Sequence, residues 1–93
     1  MNFKKTYEIK MQARLNELRD EIDELTKKAE QMEVNLQLEY YTFIDELQVK
    51  LEIANQKFER LNQAGEEDWE EFKIEFELIW KSLRELIKSV TSP

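Results

Sequence analysis

An unbroken apolar stripe runs along residues 11–36 and constrains the fold more than any other feature of this chain. Its members follow one another at alternating gaps of four and three residues, which is the period of one face of an α-helix. We call this set the first stripe: Met11, Leu15, Leu18, Ile22, Leu25, Ala29, Met32 and Leu36. The sequence therefore predicts a long helix that must bury this face against another helix.

Residues that break helices are almost absent from the chain. Gly65 is the only glycine, and Pro93, the last residue printed, is the only proline among 93 residues. Sheets need turns rich in Gly, Pro, Asn and Asp, and the sequence contains no such clusters. The length is that of one domain. We therefore predict an all-α fold in a single domain over residues 1–93.

The spacing of apolar residues predicts two helices joined by one turn. The first covers about residues 3–64, the turn covers residues 65–67, and the second helix covers about residues 68–90. Gly65 stands where a helix often ends with a residue in the left-handed conformation. The two helices would form an unequal antiparallel hairpin, a coiled-coil type of bundle, with a core made of Leu51, Phe58, Leu61, Trp69, Phe72, Phe76 and Leu83.

The two arms of this hairpin differ greatly in length. A helix of the first size is about 90 Å long and one of the second size about 35 Å, so the short helix cannot reach the first stripe. Burying six or seven large aliphatic side chains is worth on the order of 10 kcal/mol. The uncovered stripe therefore predicts a homodimer, with a self-association seam that comprises Met11, Leu15, Leu18, Ile22, Leu25, Met32, Val34, Leu36, Leu38 and Tyr41.

A monomeric three-helix bundle is the alternative to this dimer. It requires a break in the first helix, and residues 40–44 have only modest helix propensity because they are aromatic and β-branched. That segment contains no Gly or Pro, however, and sharp kinks usually have such a cause.

A second apolar line lies off the first stripe, and we call it the second line. It comprises Val34, Leu38, Tyr41, Val49 and Ile53. Two apolar faces on one helix predict two neighbours. The gap pattern also gains an extra step of four between Leu36 and Leu47, which resembles a coiled-coil stutter.

The residues that carry most chemistry are absent from the sequence. With no Cys and no His, the chain lacks thiolate ligands, the commonest metal ligand and the commonest general base. An acidic cluster lacks the spacing of a calcium loop and is better explained by charge matching at a helix N-terminus; it comprises Glu66, Glu67, Asp68, Glu70 and Glu71. We expect no catalytic residue, no cofactor and no metal site, and hence no enzyme.

Charge and hydropathy restrict the partners. A net charge of −7 disfavours nucleic acid, and no apolar run is long enough for a membrane span. No apolar block follows Lys4 and Lys5, so we expect no signal peptide and a cytoplasmic location. The sequence thus favours a self-associating interaction or scaffold protein that can also bind an unidentified protein partner. The alternative is an amphipathic-helix protein on a lipid surface.

Several segments together resemble a known group of proteins. They are residues 5–10, 15–22, 38–41, 64–73 and 80–83, the fourth reading Ala-Gly-Glu-Glu-Asp-Trp-Glu-Glu-Phe-Lys. In this order they resemble small bacterial coiled-coil proteins of the cyanobacterial stress-response type, whose function is largely unknown. The resemblance implies a helical protein that acts through protein–protein contacts in stress tolerance, and it implies no catalytic residues.

Overall fold

The structure is a computed structural model, and it describes residues 3–91. This part of the chain contains three helices. Helix α1 spans Phe3–Glu30, α2 spans Val34–Gln63 and α3 spans Trp69–Thr91. They run up, down and up in a rod of 51 × 20 × 19 Å. No strand occurs within residues 3–91, so the all-α prediction is confirmed for them.

The continuous first helix predicted over residues 3–64 is wrong. Helix α1 ends at Glu30, residues 31–33 reverse the chain, and α2 starts at Val34. The break predicted at residues 40–44 by the alternative arrangement is also misplaced, because those residues are helical within α2. The chain nevertheless has the three helices of that alternative.

The turn between α1 and α2 uses ordinary residues and local hydrogen bonds. The Met32 amide donates to the Ala29 carbonyl at 3.1 Å, which tightens the last turn of α1. The Gln37 side chain donates from Nε2 to the Glu30 carbonyl at 3.2 Å, so α2 caps the end of α1. Glu33 is extended, with φ −62° and ψ 149°, and makes no side-chain capping bond to α2.

Burial explains why the chain turns here without Gly or Pro. The turn produces three arms of 28, 30 and 23 residues that can cover one another. Six members of the first stripe, from Met11 to Ala29, are at most 6% exposed, so the expectation that this stripe lacks cover within its own chain is wrong. Burial worth on the order of 10 kcal/mol outweighs the few helical hydrogen bonds lost at the turn, each worth about 0.5–1.5 kcal/mol.

Helices α2 and α3 pack as the antiparallel hairpin of the bundle. The Phe58 and Phe76 rings lie 5.3 Å apart between centroids, and Phe76 stacks on Trp80 at 6.3 Å. Of the predicted hairpin core, Phe72 is half-buried and packs against the core, and the others are buried: Leu51, Phe58, Leu61, Trp69, Phe76 and Leu83.

Gly65 connects α2 to α3 without the predicted left-handed conformation. Its φ is not positive, and Ala64 before it is extended, with φ −70° and ψ 141°. The Gly65 carbonyl accepts hydrogen bonds from the amides of Asp68 and Trp69, at 3.1 and 3.0 Å. The left-handed cap predicted at Gly65 is therefore wrong, because an extended residue ends α2 and a tight turn starts α3.

Candidate interaction surface

The fold divides the predicted self-association seam into a buried and an exposed part. Met32 and Tyr41 are half-buried, and Val34, Leu36 and Leu38 are exposed. The other five members are buried in the chain's own core, where this fold does not offer them to a second copy: Met11, Leu15, Leu18, Ile22 and Leu25.

The second line lies on the side of α2 that faces away from the core. Val34 and Leu38 are 72% and 70% exposed, and Val49 and Ile53 are 57% and 37% exposed. Because residues four apart share a helix face, each of these pairs forms a short ridge along α2. Tyr41 flanks the line and is half-buried against the core. Among residues 3–91, no other helix covers this second apolar face of α2.

Two polar residues fill the centre of the second line. The Thr42 hydroxyl donates to the Leu38 carbonyl at 2.9 Å, so its donor is already used within α2. Asp45 is exposed one turn after Tyr41. The surface is therefore two apolar patches separated by a small hydroxyl and one carboxylate.

The other exposed apolar side chains are more scattered. Ile9 on α1 is 64% exposed, with Lys5 and Ala13 as its neighbours one turn away. Ile74 and Leu78 form a pair on α3, beside Lys81. Single exposed apolar residues are normal on a protein surface, whereas a line along a helix indicates contact with a partner.

A groove between α1 and α3 is a second candidate site. It has a volume of about 300 Å³ and carries charged groups of both signs around an apolar floor. Its lining residues are Arg14, Glu17, Leu18, Glu21, Trp80, Arg84, Ile87 and Lys88. Trp80 is buried where it lines this groove, and its neighbour Ile79 is half-buried.

An aromatic contact joins the start of α1 to the start of α3. The Tyr7 and Trp69 rings meet edge to face at 5.5 Å, and Lys73 Nζ lies 5.1 Å from the Tyr7 centroid and 5.6 Å from that of Trp69. Such cation–π contacts are worth about 0.5–1 kcal/mol where they are partly exposed. At the same end, Lys4 Nζ donates to the Ala64 carbonyl at 2.9 Å and ties α1 to the end of α2.

This environment raises the pKa of the Tyr7 hydroxyl. Burial raises the pKa of Tyr7 to about 12; the negative charge of Glu77 adds to this rise, and the positive charge of Arg14 opposes it. The hydroxyl oxygen and the Trp69 Nε1 are buried without a hydrogen-bond partner in the structure. The raised pKa keeps this hydroxyl protonated at neutral pH, so the cluster is best explained as packing between helices.

Neither a metal-binding cluster nor a membrane-spanning helix occurs in the described part of the chain. Within residues 3–91, no group of three or more acidic side chains is arranged to hold a metal ion. Over that same span, no helix combines the length and the apolar character needed to cross a bilayer.

Sequence reasoning missed the groove between α1 and α3 and the contact of Lys73 with two rings. Both depend on α1 lying beside α3, which follows only from the turn at residues 31–33. The one sequence signal for that turn is the extra step of four after Leu36. It marks a change in the phase of the apolar residues between the core positions of α1 and those of α2.

Comparisons with known proteins do not assign this chain to a family. No family model, no curated protein sequence and no solved structure matches it. The resemblance to cyanobacterial stress-response coiled-coil proteins and the role that it implies stay predictions, supported by the quoted residues alone.

Proposed function

We propose that this chain is a non-enzymatic helical interaction protein that self-associates through the second line of α2. The observation that carries the proposal is the exposure of Val34, Leu38 and Val49 along one face of a helix whose opposite face is already buried in the core. An apolar face that its own chain does not cover gains free energy from a partner.

The size of the surface favours reversible association. Burying one large aliphatic side chain contributes about 1.5–3 kcal/mol, and two copies would each contribute the four aliphatic members of the second line. Association costs about 4–15 kcal/mol in lost freedom of motion, and part of each side chain is already covered in the single chain. These terms are of similar size, so we expect a dimer whose population depends on protein concentration.

The lipid-surface alternative has less support from the same residues. Peripheral membrane helices place Lys and Arg beside the apolar face, where they attract anionic lipids. Here Asp45 lies in the gap between the two apolar pairs of the second line, with Glu46 and Glu52 close by along the helix. Anionic headgroups would repel these carboxylates, whereas a protein partner can avoid or pair them.

Sedimentation equilibrium at several protein concentrations tests the proposal. The mass of the natural chain should rise from 11.3 kDa towards twice that value as concentration increases. Leu38→Glu should hold the mass at that of one chain, because it places a charge in the proposed contact. Ile9→Glu is the matched control, since Ile9 is 64% exposed against 70% for Leu38, and it should associate like the natural chain.

Two results would contradict the proposal. One is a natural chain that stays at the mass of one copy at every concentration. The other is an equal loss of association in the Leu38→Glu and Ile9→Glu variants, which would indicate a general effect of added charge. Circular dichroism melting of each variant shows that the fold is retained.

A further inference from the structure

The groove between α1 and α3 has an apolar floor made of core side chains. Leu18 from α1 and Trp80 and Ile87 from α3 line it, and they are 6%, 9% and 5% exposed. The volume of the groove is about 300 Å³. Ligand pockets in proteins range from about 300 to about 1,000 Å³, so this groove suits a small ligand rather than a large cofactor.

Three cations without an ion-pair partner surround this floor. Arg14 lies on the α1 side of the groove, and Arg84 and Lys88 lie on the α3 side. The two ion pairs that occur within residues 3–91 are elsewhere on the bundle. Arg14 is also half-buried, so its guanidinium is partly withdrawn from water without a carboxylate paired to it. Such a group gains free energy when an anion reaches it.

The charge of the groove is opposite in sign to that of the chain. Glu17 and Glu21 also line the groove, so three positive and two negative side chains leave it at +1, whereas the whole chain carries −7. Both glutamates are exposed on α1 and can turn towards water. Arginine matches a carboxylate especially well, because its planar guanidinium can donate two parallel hydrogen bonds. The groove therefore favours an anion on a chain that is acidic overall.

An exposed apolar pair adjoins the groove on α3. A neighbouring depression shares Trp80 and Arg84 with the groove, and Ile74 and Leu78 line it as well. These two aliphatic side chains are 61% and 68% exposed. The apolar surface beside the cations thus extends beyond the floor of the groove, and a ligand with an apolar body can cover more of it than an inorganic anion can.

We propose that the groove between α1 and α3 binds a small carboxylate with an apolar body, of the size of a medium-chain fatty acid. Arg14, Arg84 and Lys88 hold the carboxylate at the rim. The apolar body lies on Trp80 and Ile87. This site is on the opposite side of the bundle's contacts from the second line of α2, and its ligand binding does not require self-association.

Ligands of other charge fit the same groove less well. An organic cation would meet three positive side chains, and like charges repel each other. A neutral ligand would leave the half-buried Arg14 without a partner. The carboxylate should therefore decide which apolar molecules bind.

Titration with octanoate tests the proposal, and the indole N–H signals of the two tryptophans in an NMR spectrum are the readout. Trp80 lines the groove, whereas Trp69 lies about 16 Å away along α3. Octanoate below its micelle concentration should shift the Trp80 signal to saturation and leave the Trp69 signal in place. Octylammonium, which has the same chain and the opposite charge, should give no saturable shift. The Trp69→Phe variant assigns the two signals.

Variants of the rim and a shorter ligand separate the two parts of the interaction. Arg84→Gln should weaken octanoate binding about tenfold, the usual effect of losing a hydrogen bond between charged groups. Lys88→Gln should weaken it as well, which covers the case in which one variant loses the fold. Arg19→Gln is the matched control, because Arg19 is exposed on α1 outside the groove. Hexanoate should bind about tenfold more weakly than octanoate, because it buries two fewer CH₂ groups.

Four results would overturn the inference. They are no saturable shift of the Trp80 signal with octanoate, equal shifts of the Trp69 and Trp80 signals, saturation by octylammonium at the same concentrations, and equal weakening by Arg84→Gln and Arg19→Gln. Circular dichroism melting of each variant shows that the fold is retained.

The same titration on Leu38→Glu separates this inference from the proposed function. That variant should stay at the mass of one chain and should still bind octanoate like the natural chain. Octanoate binding that is lost in Leu38→Glu would place the ligand at the second line and overturn the assignment to the groove. Added salt should weaken octanoate binding, because it screens the attraction between the carboxylate and the three cations.

Discussion

Two apolar lines lie on neighbouring helices, and the fold treats them in opposite ways. The first stripe on α1 is buried from Met11 to Ala29, whereas the second line on α2 is 37–72% exposed at its four aliphatic residues. Both have helical spacing and both consist largely of Leu, Ile and Val. Composition therefore does not decide which line is hidden.

The number of neighbouring helices decides which of the two apolar lines is buried. A three-helix bundle gives each helix one inward face, and in α2 that face is occupied by Ile44, Leu47, Leu51, Ala54, Phe58 and Leu61. The second line is on the opposite side of that helix, and no fourth helix of the described chain reaches it. An apolar face left over in this way is a surface that can serve contact with another molecule.

Truncation of one leucine in each line should give the largest difference between them. Leu15→Ala removes a side chain that is 2% exposed and should lower the free energy of unfolding by about 2–5 kcal/mol. Leu38→Ala removes one that is 70% exposed and should change it by less than about 0.5 kcal/mol at low protein concentration. Urea unfolding of both variants measures the two values, and similar costs would refute the assignment of one line to the core and the other to the surface.

Filling the centre of the second line should strengthen self-association. Asp45→Leu removes a carboxylate from each copy and adds an aliphatic side chain worth about 1.5–3 kcal/mol when buried. Since the change occurs twice in the dimer, we expect the dissociation constant to fall about tenfold or more.

Sedimentation equilibrium measures this dissociation constant. Asp20→Leu is the control, because Asp20 is exposed on α1 and its replacement changes charge and apolar content in the same way. If the two variants associate equally, the gain reflects general stickiness, and the second line is not the contact.

Much of the fold could be predicted from the sequence because it depends on local periodicity. The seams of α1, α2 and α3 follow from spacings of three and four, and the scarcity of Gly and Pro excludes sheets. The turn at residues 31–33 could not be found in this way, because Gln31, Met32 and Glu33 are all compatible with a helix. What places the turn there is the burial gained when three arms of similar length pack together, which is a property of the whole chain.

The candidate surface could be predicted in part for the same reason. The second line was visible as apolar residues out of phase with the first stripe, and its exposure depends only on the helix having one buried face. Leu15, Leu18 and Ile22, which the sequence assigns to self-association, are buried by the chain's own helices. A seam can be recognised locally, whereas the partner of a seam depends on the tertiary fold.

A better N-terminal cap on α2 should have a smaller effect on the free energy of unfolding. The sign of that effect distinguishes a chain that turns before α2 from one with a continuous first helix. Glu33 precedes α2 in an extended conformation without a side-chain cap. Asp at this position can accept from the free amides of the first turn, so Glu33→Asp should raise the free energy of unfolding by about 0.5–1 kcal/mol. In a continuous helix the same change would lower it by a few tenths of a kcal/mol, because Asp is a poorer helix former than Glu. Urea unfolding at low protein concentration gives the sign, and a decrease would favour the continuous helix.

The smallest effect at neutral pH is expected at the Tyr7 hydroxyl, where the first stripe is continued towards the N-terminus of α1. The pKa of Tyr7 is raised from 10.0 to about 12, chiefly by burial, so the folded state holds this proton more tightly than the unfolded chain does. The resulting stability is fully present below pH 10 and is lost as the pH rises towards 12.

Tyr7→Phe should leave the free energy of unfolding nearly unchanged at pH 7, because the hydroxyl has no hydrogen-bond partner in the structure. Unfolding of both proteins between pH 8 and pH 11 should show a steeper loss for the natural chain, with Tyr40→Phe as a control at a half-buried tyrosine of α2. Equal pH profiles would mean that Tyr7 stays in water and that the α1–α3 contact at this end is open, in which case the burial of the first stripe would stop short of Tyr7.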